Sequence, residues 1–225
     1  MPVPWAFCRS RLEYTLRAIV SRQDFWRDNR HWNIGLKTMN RYHRIRSQQL
    51  LREAEGYLDL VMSLADRWPT RRETAERLAN RALETLDRLS PQDADRAQVL
   101  YLRGQSLRLL ERYADAVAPL REAADRDPAN IHIYLALGWC YKRVGRLDLA
   151  IETLEQSLAF EDGEAILHYN LACYWSMAEN VRLAVEYLSQ AFDIDPNYRD
   201  LVPSEPDFEP IRHHPQFMAL TIVVV

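Results

Sequence analysis

Glycine, cysteine and long apolar runs are all scarce in this chain, and each scarcity removes a class of protein. With 6 glycines among 225 residues there is no glycine-rich phosphate loop, and neither a G-x-S-x-G elbow nor an H-E-x-x-H pair occurs. The 3 cysteines, Cys8, Cys140 and Cys173, form no C-x-x-C pair and are odd in number. Such a set argues against a secreted disulfide framework and against a thiolate metal site. His213 and His214 are adjacent, so on regular structure they point apart, and neither a metal nor a cofactor is expected. Nothing approaches the roughly 18 uninterrupted apolar residues that span a bilayer. The start, MPVPWAFCRSRLEYTLR, meets Arg9, Arg11 and Glu13 before any apolar run develops, so a cytoplasmic protein without a secretory signal is expected.

What is present favours helix. Hydrophobic residues make up 48% of the chain, enough for a sizeable core. Leu, Ala, Arg and Glu dominate, side chains that lose little freedom on a helix, and an all-α fold follows. Charge is unevenly spread: residues 1–50 carry 10 Lys and Arg against 3 Asp and Glu, and residues 51–225 carry 19 against 29. The basic stretch 1–46 interleaves Trp5, Phe7, Phe25, Trp26, Trp32 and Tyr42 with arginines. It fits three descriptions: an extension packed on the rest, residues ahead of a true start at Met39, or a surface for single-stranded nucleic acid.

The heptapeptide LGWCYKR (137–143) invites a catalytic reading, a thiol set between an aromatic ring and a base. A nucleophilic cysteine needs a neighbouring base or a helix N-terminus to lower its pKa. Cys140 falls well inside an apolar-periodic stretch with no histidine placed beside it, so a buried core thiol is the expectation.

The same heptapeptide belongs to a repeat. At a period of 34, residues 97–130, 131–164 and 165–198 fall into register. Gly104, Gly138 and Ala172 coincide at the eighth position, Ala116, Ala150 and Ala184 at the twentieth, and Leu120, Leu154 and Leu188 at the twenty-fourth. Small residues at two fixed places are what a helix hairpin needs where its members nearly touch. Within the middle copy, Leu135, Leu137, Tyr141 and Val144 recur at helical spacing, Gly145-Arg146 breaks the run, and Leu147, Ala150, Ile151, Leu154 and Leu158 resume it. Pro119 lies inside the second helix of the first copy, where a local kink is expected.

This pattern, through Tyr134, Leu137, Gly138, Tyr141, Ala150 and Leu154, resembles the tetratricopeptide repeat, with Pro128 and Pro196 closing the first and third copies and Asp162 standing in the second. The resemblance implies a right-handed superhelix of stacked helix hairpins, since one hairpin cannot bury its apolar face alone. Residues 47–96 then read as a helical pair, a degenerate repeat or N-terminal cap. Residues 199–225, with prolines at 203, 206, 210 and 215, resemble the closing segment of bacterial tetratricopeptide proteins. There Phe208, Ile211, Phe217 and Leu220 cover the last hairpin.

Function follows by the same resemblance. The family's groove positions are occupied by Gln98, Tyr101, Leu102, Gln105 and Arg108 in the first copy. The second supplies His132, Leu135, Ala136, Trp139 and Lys142, and the third Ile166, Tyr169, Asn170, Cys173 and Ser176. Rings give contact area and amides bond a peptide backbone, so a non-enzymatic module for an extended peptide is expected. Against this stands the simpler role of Tyr101, Trp139 and Tyr169 as filling between helices. Tails of heat-shock proteins are not the expected ligand, because Tyr101 and Leu135 stand where the clamp lysine belongs and only Asn170 matches its asparagines. An RNA-associated adaptor acting through residues 1–46 is the alternative.

Overall fold

A computed structural model describes residues 41–61, 72–94 and 96–221. The chain divides into two units, Met1–Gln49 and Leu50–Val225. Residues 41–49, the described part of the first unit, are helical. The aromatic and basic residues of the extension up to residue 40, with Met39, lie outside the described residues.

The second unit is built from helices: α1 (50–61), α2 (Arg72–Leu86), α3 (Ala97–Leu109), α4 (Tyr113–Arg126), α5 (Ile131–Arg143), α6 (Leu147–Leu158), α7 (Ala165–Met177), α8 (Val181–Ile194) and α9 (Pro215–Thr221). A single helical turn, Pro91–Ala94, leads into α3, and two 3₁₀ segments, Pro196–Ser204 and Pro206–Ile211, connect α8 to α9. No strand occurs among the described residues. Consecutive helices from α3 to α8 pack in sequence, so each repeat is a hairpin and each hairpin stacks on the next, the all-helical superhelix expected of the repeat.

Two apolar clusters hold the stack. Leu50, Leu51, Ala54 and Leu58 of α1 meet Ala82, Leu86, Leu89, Val99 and Leu102. A larger cluster runs from Leu100 through the hairpins to Phe208, Ile211 and Phe217. Both claim α3, which turns Val99 and Leu102 one way and Leu100 and Leu107 the other. Ala116, Leu120, Ala150, Leu154, Ala172, Ala184 and Leu188, the small and leucine positions of the repeat, are all fully buried. The apolar residues that recur with the repeat therefore form its inner seam. Helix α4 runs unbroken through Pro119.

The turn inside each hairpin repeats to the residue. Glu111, Gly145 and Glu179, all fifteenth in their copies, take positive φ of 57°, 77° and 57°. The following amide reaches back five residues in each copy: Arg112 N donates to Leu107 O, Arg146 N to Tyr141 O and Asn180 N to Trp175 O, each at 2.9 Å. A left-handed residue closing the first helix in this way satisfies carbonyls that would otherwise be orphaned. Only Gly145 adopts that conformation without steric cost. Glu111→Gly is therefore expected to leave stability unchanged or raise it by up to about 1 kcal/mol, read from urea unfolding midpoints. Both other turns keep a glutamate, and Glu111 also receives an ion pair from Arg72 at 3.1 Å, which limits the gain.

Candidate peptide-binding groove

The first helices of the three hairpins, α3, α5 and α7, carry the positions expected to face a groove. On α3 these side chains form a relay: Arg108 Nε donates to Gln105 Oε1 at 2.7 Å, and Gln105 Nε2 donates to the Tyr101 hydroxyl at 2.7 Å. All three are half-buried and line a cleft of about 170 Å³ with Glu55, Leu58 and Asp59 of α1. On α5, His132 is exposed, and its backbone amide donates to the Asn130 side chain that caps the helix. Leu135 and Trp139 are half-buried. The Lys142 ammonium lies over the Trp139 ring, 4.9 Å from its centroid.

Helix α7 is placed differently. Tyr169 and Cys173 are buried, and Asn170 satisfies its amide within its own helix by donating to Ile166 O at 2.8 Å. What covers them is the chain itself. The 3₁₀ segment Pro206–Ile211 lies along α7: the Phe208 ring meets Tyr169 edge-on at 5.7 Å, and Ser176 Oγ donates to the Asp207 carbonyl at 2.8 Å. The Asp207 carboxylate forms an ion pair with Lys142, both side chains largely out of solvent. Tyr198 adds a ring 5.0 Å from Tyr169, and Phe217 packs 5.3 Å from Phe208. Thus Tyr101, Gln105, Arg108, Leu135 and Trp139 stay partly open, whereas Lys142 and Tyr169 are engaged by residues 198–208 and Cys173 is buried.

Asp207 and Phe208 as groove occupants escape a reading of the repeat alone, although one signal points to them. Helix α7, AILHYNLACYWSM, contains no charged residue. A helix apolar on all sides has to be covered on all sides, and two hairpin neighbours leave one face bare. The acidic segment EPDFEP downstream and Lys142 upstream then supply a charge-matched cover.

Thiol chemistry is disfavoured by the same burial. Desolvation pushes Cys140 up to about 11, with the Arg108 charge opposing. Burial also raises Cys173, further helped by the negative Glu205 and Asp207. Both remain thiols at neutral pH, and a thiol is a poor nucleophile. The His213 and His214 side chains are exposed.

Residues 107–171, spanning the end of α3 to the middle of α7, match the family model of the tetratricopeptide repeat. This stretch carries the tetratricopeptide repeat. Solved structures carry the same fold. A crystal structure of MamA is similar with 20% identity and a TM-score of 0.50, over 65% of this chain and 91% of that one. MamA residues 41 to the end from Desulfovibrio magneticus RS-1 align with 19% identity and a TM-score of 0.50, over 75% and 94%. A search of curated proteins gives no match. The three copies read from periodicity correspond to the hairpins α3–α4, α5–α6 and α7–α8, and the segment Pro206–Ile211 lies along the first helix of the last. No described helix is long and apolar enough to cross a membrane.

Proposed function

We propose that the groove face of α3, α5 and α7 binds an extended segment of a partner protein, and that the protein works as a non-catalytic interaction scaffold. The observation that carries this is the chain's own segment around Asp207 and Phe208. It is a short non-α-helical stretch, and it is held by side chains at groove positions of two successive repeats, Lys142, Tyr169 and Ser176. A face that takes one such segment has the geometry to take another on its upstream part, where Tyr101, Gln105, Arg108, Leu135 and Trp139 are only half-buried. Trp139 supplies the large rigid contact area that interface anchors share.

Trp139→Ala is expected to weaken partner capture by about 2 kcal/mol or more while shifting the melting temperature little. The measurement is affinity capture from source lysate with both proteins, quantified by mass spectrometry, beside a thermal melt of each. A stability loss of about 3–5 kcal/mol with unchanged capture would make Trp139 a packing residue and remove it from the groove.

A further inference from the structure

The segment seated on α7 shows what chemistry the groove positions select, and the repeat allows that chemistry to be moved by one copy. Asp207 touches the twelfth position of the second copy through its carboxylate, at Lys142, and the twelfth position of the third copy through its carbonyl, at Ser176. Phe208 lies against the fifth position of the third copy, Tyr169, and the ninth, the buried Cys173, follows one turn on along the same helix. Shifted upstream by 34 residues, the carboxylate arrives at Arg108 and the aromatic side chain at Leu135 and Trp139.

Arg108 is prepared for that role. Its Nε is spent on Gln105, which fixes the guanidinium plane, and its two terminal nitrogens have no acceptor among the described residues. A fixed planar fork with free donors matches a carboxylate in two parallel bonds. Leu135 and Trp139 provide the apolar wall one turn apart, as Tyr169 and Cys173 do downstream. The cleft that Arg108 itself lines also carries Glu55 and Asp59 on its α1 wall, which repel any acid beyond the one Arg108 holds.

We infer that the upstream groove recognises an extended partner segment bearing one Asp or Glu followed directly by an aromatic residue, the carboxylate held by Arg108 and the ring against Leu135 and Trp139. This rests on the groove reading given above and adds the chemistry of the partner. Affinity comes from the ring and selectivity from the single acid, so a uniformly acidic segment is a poor ligand.

The test titrates a fluorescent peptide with the sequence of residues 204–212, SEPDFEPIR, into the full chain by anisotropy. Saturable binding is expected, weakened about tenfold or more by Arg108→Gln and, separately, by Asp→Asn or Phe→Ala in the peptide. Asp207→Asn in the protein, which loosens the internal segment, is expected to leave peptide affinity unchanged. Tighter binding to that variant means that the peptide enters the α7 site and overturns the upstream assignment, as does binding indifferent to Arg108→Gln. A change of mass on Arg108→Gln by light scattering makes the occupant a second copy of this chain, which also overturns it. If no peptide binds while partner capture still depends on Trp139, the acid-aromatic chemistry is wrong and the groove reading stands. Capture indifferent to Trp139→Ala, with the melting temperature retained, removes the groove reading itself.

Discussion

Phe208→Ala is expected to lower the unfolding free energy by about 3–5 kcal/mol, the range for removing a fully buried ring that cannot be replaced by collapse. Phe208 has no solvent exposure and sits between Tyr169 and Phe217, at 5.7 and 5.3 Å. Those rings are anchored on different elements, α7 and α9, so neither can follow the other into the space. Loss of the ring also removes the apolar cover of α7, whose outward face then meets water. Urea unfolding measures the cost, and native-state alkylation reads the second effect: Cys173, buried beneath this segment, becomes reactive in the variant while Cys140 does not. A loss below about 1 kcal/mol, with Cys173 still protected, would show that the segment docks without its ring and that the polar anchors Lys142, Asp207 and Ser176 carry it.

How much of this was visible in the sequence depends on the range of the interaction concerned. The hairpins follow from spacing inside 34 residues, and Gly104, Leu120 and their counterparts mark them because a helix crossing leaves little choice of side chain. The breaker Gly145 marks the middle turn, but Glu111 and Glu179 at the same place do not, since nothing in a glutamate predicts a positive φ. On α3 and α5 the expected positions divide: Tyr101, Gln105, Arg108, Leu135 and Trp139 are half-buried, Gln98 and His132 exposed, and Leu102 and Ala136 buried in the core. On α7 periodicity places Tyr169 and Cys173 on the same face, yet Tyr169 is covered by Tyr198 and Phe208 from a segment that Lys142, 65 residues from Asp207, helps to hold. Prolines at 203, 206 and 210 exclude an α-helix there without saying where the segment lands. Local pattern marks which residues share a register position in the repeat, whereas long-range charge and ring matching decide which of them stay open to solvent.

The largest effect expected inside the repeat itself concerns Leu120 and Gly104. A Cβ built on Gly104 falls 2.4 Å from Leu120 Cγ, a branch point with no freedom to swing away, and Leu120 is fully buried. The corresponding contact at Gly138 is 3.3 Å, to the Cδ2 of Leu154, and the third copy already carries a real Cβ at Ala172. Leu120→Ala is therefore expected to cost about 2–5 kcal/mol as a cavity. Gly104→Ala costs about 1–3 kcal/mol by overpacking, which outweighs the roughly 1 kcal/mol that alanine gains over glycine in a helix. At Gly138 the same substitution meets a contact that yields by a few tenths of an ångström, so the helix term wins and stability stays level or rises by up to about 1 kcal/mol. Combining Gly104→Ala with Leu120→Ala places the new methyl in the space the leucine leaves, and the double variant is expected to be more stable than the sum of the single losses by about 0.5–3 kcal/mol. Strict additivity in that cycle, measured by urea unfolding, would mean that Leu120 is not what the glycine makes room for, and the close approach of α3 to α4 would need another cause.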